Sequence, residues 1–200
     1  MADLGLCEWN KLGIGPVKGL RKLNPVSLIC QALTECPDEF PVSGSAHLHF
    51  ITEDELRERL RLDIGTVETT FANLEWKAAT VLAGSVIEAL LLWALEKHFS
   101  ERVKSAVDRL VAKGVFAKPK NDLQYWDLHH YGEVAAEFGA IEEDTVHLVR
   151  LARNYRNLIH PGKAERLGQA CNRATAMTAI SALDRVIEDL TKNFGCAKAN

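Results

Sequence analysis

Aromatic residues make up only 7% of this 200-residue chain. No useful length of it alternates apolar and polar residues with a period of two. Both shortages argue against a β-sandwich or barrel. Cysteine is sparse and unpatterned: Cys7, Cys30, Cys36, Cys171 and Cys196 are odd in number and irregular in spacing. That is no disulfide framework, and without a CxxC pair no zinc site is expected. The thiols read as reduced, in a cytoplasmic protein. Residues 1–19 lack the basic start and apolar run of a secretory leader. The longest apolar stretch, 78–94, is interrupted by Thr80, Ser85 and Glu88. It reads as a buried core helix and not as a membrane span. There is no P-loop, no GxGxxG, no Ser-His-Asp pattern in a usable context, no internal repeat and no low-complexity tract. The net charge of −3 excludes little, because local charge decides partners.

What the chain does have is 47% apolar residues, enough for a core, arranged with helical spacing. Residues 1–50 are punctuated by glycine and proline, and form an irregular N-terminal extension with one short helix expected near 25–33. Residues 51–195 form the helical domain. Thr52-Glu53-Asp54-Glu55 has the pattern of a capping box. Leu56, Leu60, Ile64 and Val67 follow it at helical spacing. The segment 74–98 is apolar almost all round, which suits the middle of a bundle. A shorter helix capped by Ser100 carries Val103, Val107 and Leu110. Further helices are expected over 122–138, 143–160 and 164–193. The reading is an all-α bundle of four to five helices.

The chemistry concentrates in 143–160. On a wheel of about 100° per residue, Leu148, Leu151, Ala152, Tyr155, Leu158 and Ile159 share a core side. Arg153, Arg156, Asn157 and His160 share the opposite side, with Val146 and Val149 continuing the stripe. An apolar patch beside a charged one fits a contact surface, such as a dimer seam with a polar site at its edge. Between Thr145 and Arg173 the basic residues Arg150, Arg153, Arg156, Lys163, Arg166 and Arg173 face a single acid, Glu165. This local excess would attract phosphate. The plainer alternative is an ordinary exposed arginine face whose last-turn histidine suits the helix dipole. Glu88, an acid within an apolar helix, calls for an ion pair with an arginine of a neighbouring helix or for a place in the site. Lys77 beside Trp76 reads as a surface lysine. His129-His130 is a poor metal pair, since adjacent helical residues diverge by about 100°. His47 and His49 lie in the irregular arm. No metal or cofactor is called for.

The run Arg153-Asn154-Tyr155-Arg156-Asn157-Leu158-Ile159-His160-Pro161-Gly162 resembles the RN…H signature of the HEPN superfamily. The helix pattern of residues 79–91, with a small residue ahead of an acid, is similar to the second helix of many bacterial members. The resemblance covers about residues 52–193. It implies a dimeric bundle of four to five helices with two copies of the motif facing a cleft. Active members cut RNA without a metal. Others bind RNA, a nucleotide or a protein partner without catalysis. Many are toxins or defence proteins held by an antitoxin protein. Some of those toxins carry a modified tyrosine just after the histidine, where this chain has Pro161-Gly162-Lys163.

The chemistry suits the residues. Attack by RNA's own 2′-hydroxyl needs a base that titrates near neutrality, which histidine supplies. It also needs charge stabilisation at phosphorus, which a guanidinium supplies. The expected roles are His160 as general base or acid and Arg153 as phosphate clamp. Asn154 and Asn157 would orient phosphate or histidine, with Arg156, Arg150 and Lys163 as phosphate contacts and Glu88 as support. A homodimer acting on RNA or a nucleotide, away from membranes and in the cytoplasm, is the expectation that follows.

Overall fold

In a computed structural model, residues 48–195 are described, and the short helix expected near 25–33, with His47, lies outside them. Seven α-helices follow one another among the described residues: α1 (Asp54–Ala72), α2 (Trp76–His98), α3 (Val103–Ala112), α4 (Leu128–Glu137), α5 (Glu143–Arg156), α6 (Pro161–Leu167) and α7 (Arg173–Phe194). Single 3-10 turns occupy Leu123–Tyr125 and Asn157–Ile159, and no strand occurs among the described residues. The fold is an all-α helical bundle.

Helix α2 is the axis. Nearly every turn of it is buried, through Ala79, Ala83, Ile87, Leu90, Leu91, Ala94 and Leu95. It packs against α1, α4, α5 and α7. Its length and composition would also let it cross a membrane, and most of its apolar window is covered by the other helices. Each fully buried leucine or isoleucine contributes about 2 kcal/mol through removal from water. The alanines of α7, Ala176, Ala179 and Ala182, are fully buried at helical spacing and keep that helix close to its neighbours. Small side chains on facing ridges permit such an approach.

The helix ends differ from the sequence reading in four places. Thr52 does not cap α1. Glu53 is the N-cap residue, and Thr52 donates its hydroxyl to the Glu53 side chain. Glu53 also reaches out of its own helix to accept from Trp93 Nε1 and Lys97 Nζ of α2 (3.1 and 2.5 Å). Those bonds hold its carboxyl down at about pKa 2, the lysine's first. Second, the N-cap of α3 is Arg102, not Ser100. Third, the helix expected over 122–138 starts only at Leu128, because Asp127 forms a capping box with His130. An aspartate whose carboxylate takes orphan N–H groups is a strong start signal.

Fourth, the helices expected over 143–160 and 164–193 have different limits. Helix α5 stops at Arg156, and Pro161 opens the separate short helix α6. The residue before a proline is pushed toward extended backbone, and His160 adopts φ −80°, ψ 112°. Helix α7 starts afresh at Arg173, its N-cap Asn172 closing a capping box with Thr175.

The link from α1 to α2 is only three residues long. Leu74 N–H donates to Phe71 and Glu75 N–H to Thr70 (3.0 and 2.9 Å), the paired bonds of a Schellman motif. The left-handed position in that motif usually belongs to glycine. Here it is Leu74, at φ 65°. The other left-handed residues among those described, Gly114, Gly139 and Gly168, are all glycines.

Candidate functional site

Three arginines of α5, one turn apart, each meet a carboxylate from another helix or its cap. Arg150 makes a two-pronged contact with Glu133 of α4, Nε at 2.6 Å and Nη2 at 2.8 Å. Arg153 Nη2 donates to Asp127 at the start of α4, at 2.7 Å. Arg156 pairs with Glu88 of α2. The bonds form a ladder along the seam where α5 lies against α4 and α2. The expected excess of positive charge is therefore largely compensated at this level of the fold.

This corrects the wheel. Val146 and Val149, placed on the outward stripe, are buried, whereas Leu151, placed on the core side, is 40% exposed. Ala152 and Leu158 are buried as expected. The buried line of α5 runs through Thr145, Val149 and Ala152 toward the half-buried Arg156. The wheel treats arginine as an outward marker. A guanidinium with a carboxylate in reach turns inward, stretching its aliphatic stem across apolar surface. Gly84 makes room for that stem: a Cβ there would lie 3.1 Å from Arg156 Cδ. Gly84 and Glu88 are four residues apart on one face of α2. Together they seat Arg156, which settles what Glu88 holds.

The electrostatics follow the geometry. Burial pushes the Glu88 carboxyl upward, and the opposing pull of Arg156 does not cancel it; the negative charge of Asp127 adds to the rise. At Asp127 burial also pushes upward. The bond from Arg153, the backbone bond from His130 and both positive charges outweigh it, so that carboxyl lies below its ordinary value. Glu133 holds the Arg150 guanidinium even more firmly protonated than usual. His130 Nδ1 lies 2.7 Å from Asp127 Oδ1 and His129 Nδ1 lies 3.3 Å from Glu133 Oε1. Both histidines thus belong to the seam, and among the described residues no group of three or more potential ligands is disposed around a metal site.

The rest of the motif faces outward. Asn154 is exposed, and Asn157 is half-buried in the 3-10 turn. His160 is exposed, and its imidazole makes no hydrogen bond with a described residue. Each 3-10 residue advances about 120° instead of about 100°. The turn at Asn157–Ile159 therefore rotates His160 by about 60° away from the stripe that an unbroken helix would give. The arginines point into the seam and the histidine points out. Lys163 is half-buried; Arg166 and Arg173 are exposed; none of the three has a carboxylate partner among the described residues.

Next to this turn lies an open groove of about 760 Å³. Its walls are Leu74 and Glu75 of the α1–α2 link, Trp76, Lys77, Val81 and Leu82 of α2, and Ile159 and Cys171. Burial pushes the Cys171 thiol upward, against a lowering influence from Lys77.

Sequence reasoning missed Asp127, Glu133 and Asp189. The spacing of 122–138 puts Asp127 inside a helix, although Asp127-Leu128-His129-His130 has the form of a start signal. Glu133 was hidden in the apolar run of α4. Asp189 is buried on α7, where it accepts from Glu142 N–H (2.9 Å) and Thr145 Oγ1 (2.6 Å), satisfying the first turn of α5 from across the bundle. Nothing local in the sequence announces that contact. No protein-family model, no curated protein and no solved structure matches the chain.

Proposed function

We propose that the chain is a HEPN-type, metal-independent endoribonuclease of toxin or defence type, acting in the cytoplasm as a homodimer. The observation that carries this reading is His160: an exposed imidazole, unengaged by described residues, one 3-10 turn beyond an arginine-rich helix end. Its partner in the reaction is Arg153, which must release its Nη2 hydrogen bond to Asp127 and turn out of the seam to face the same phosphate as His160.

In this scheme His160 removes the proton from a 2′-hydroxyl, whose oxygen attacks the adjacent phosphorus. Arg153 faces the charge that develops on the phosphoryl oxygens. The P–O5′ bond breaks and the leaving oxygen takes up a proton. The products are a 2′,3′-cyclic phosphate end and a 5′-hydroxyl end.

The test is incubation of single-stranded RNA with the purified full chain, with and without EDTA. Cyclic phosphate ends, undiminished by EDTA, are expected. His160→Ala is expected to lose cleavage with an unchanged circular dichroism spectrum. Full activity in that variant overturns the assignment.

The ion pairs favour a second reading. With Arg153 and Arg156 both held by carboxylates, the module binds RNA, a nucleotide or an antitoxin protein without cutting. That reading predicts salt-sensitive binding, weakened by Arg153→Ala and indifferent to His160→Ala.

A further inference from the structure

We propose that His130 is a positioning residue for the phosphate clamp: a proton taken up at its Nδ1 neutralises Asp127 and lets Arg153 turn from the seam to an RNA phosphate. The inference rests on the reading of Arg153 and His160 as an RNA site, and supplies the step that frees the arginine.

Asp127 is shared. Its Oδ1 accepts from the His129 and His130 N–H groups (3.1 and 3.2 Å), the bonds that start α4. The same oxygen lies 2.7 Å from His130 Nδ1. Its Oδ2 accepts from Arg153 Nη2 at 2.7 Å. One carboxylate thus stands between an imidazole and a guanidinium, and the charge on the first decides what the second faces.

The Nδ1 atom also accepts from Asp127 N–H at 3.3 Å, closing the capping box. That bond needs a lone pair on Nδ1, so the neutral ring carries its proton on Nε2. The neutral ring therefore sets an acceptor against an acceptor at Oδ1. A proton arriving on Nδ1 turns that contact into a charge-assisted hydrogen bond, in exchange for the longer bond from the backbone. Arg153 then faces a nearly neutral His130–Asp127 pair in place of a lone negative charge, and its hold on Oδ2 weakens. The imidazole is 21% exposed, so solvent can deliver the proton.

The other two rungs of the ladder lack this device. Glu133 holds Arg150 through both oxygens, and His129 stands farther off, with Nδ1 3.3 Å from Oε1. Glu88 pairs with Arg156, and no histidine pairs with Glu88 among the described residues. The charged groups around His130 come from three helices. On its own helix and cap are Asp127, His129 and Glu133; α5 brings Arg150 and Arg153; α2 brings Glu88, which feels the charge of Asp127. The segment ahead of α4 presents the uncharged rings of Phe116 and Trp126, with centroids 5.0 and 5.9 Å from that of the imidazole. Its lysines are engaged elsewhere, Lys118 with Asp108 and Lys120 over the Tyr125 ring.

The experiment follows RNA affinity between about pH 5.5 and 8, the range in which histidine changes charge. The probe is a labelled single strand of 2′-O-methyl RNA, which has no 2′-hydroxyl to attack its own phosphate. Fluorescence anisotropy reads its binding to the full-length wild type, His130→Gln, Asp127→Asn and Arg153→Ala. Glutamine is a capping-box residue, so His130→Gln keeps an acceptor for Asp127 N–H and removes the titration. The gain in affinity on acidification is expected to be about fivefold larger in the wild type than in His130→Gln, the worth of one screened ion pair. The same difference is expected in a His160→Ala background, which takes out the exposed histidine's own titration. Asp127→Asn is expected to bind near pH 8 as tightly as the wild type does at the acid end. Arg153→Ala is expected to gain no more than His130→Gln.

Equal gains in the wild type and His130→Gln overturn the positioning role while leaving the RNA reading intact. A full gain in Arg153→Ala shows that the imidazolium meets phosphate by itself, and overturns the role as well. A wild type that binds no strand at any pH overturns the reading of the site, and the role of His130 with it.

Discussion

Asp127→Asn removes the charge on which the phosphate-clamp role turns, and with it the charged contact to His130 Nδ1. Asparagine caps a helix as well as aspartate does, so the bonds that start α4 from His129 and His130 N–H survive the change. What is lost is the negative charge 2.7 Å from the Arg153 guanidinium. The two side chains are 36% and 44% exposed, so solvent screens the pair. A pair of that kind is worth about 0.5–1 kcal/mol to the fold, and a small loss in urea midpoint is expected.

RNA binding should respond in the opposite direction. A phosphate that reaches Arg153 in the wild type must displace Asp127 or share the guanidinium with it. Removing the carboxylate releases about 1 kcal/mol, or about fivefold in affinity at low salt. It also adds about 0.7 to the slope of log affinity against log salt, the value for one more phosphate contact on a single strand. Anisotropy titrations between about 50 and 200 mM salt read both quantities. Unchanged or weaker binding by a folded Asp127→Asn protein would mean that Arg153 is a strut of the α4–α5 seam and not a phosphate contact.

The same variant carries a pH signature. Because the folded Asp127 carboxyl lies below its ordinary value of 3.8, its contribution to stability is present above that value and is lost as pH falls through the lower folded one. Asp127→Asn should lack this part of the acid limb in a melting-temperature series.

Two further outcomes follow from the same seams. Asp189→Ala removes a buried carboxylate and leaves Glu142 N–H and Thr145 Oγ1 without it. The expected cost is about 3 kcal/mol in urea unfolding, and a loss under about 1 kcal/mol would show that water replaces it freely. Glu133→Gln breaks the two-pronged contact with Arg150, whose side chain is 43% exposed and remains partly hydrated. About 1 kcal/mol is expected by thermal denaturation, with RNA affinity rising if the freed guanidinium reaches phosphate.

Composition and hydrophobic period alone announced an all-α bundle, a buried axis over 74–98, observed as Trp76–His98, and the need of Glu88 for an ion pair or a place in the site. These are local or summed properties. An apolar run without strand periodicity has one stable disposal, and an acid inside it must meet a cation.

Tertiary structure decided the rest. A helical wheel ranks side chains by hydropathy and so sends arginine outward. Only the arrival of Glu133, Asp127 and Glu88 from α4 and α2 turned Arg150, Arg153 and Arg156 into the seam. The break at Arg156, which separates His160 from those arginines, also reflects more than the proline that follows. There the backbone tightens into a 3-10 turn that keeps Leu158 buried while His160 is left exposed. Which of a chain's charges are free for a ligand depends on which opposite charges the fold brings against them, and that pairing is made between helices far apart in sequence.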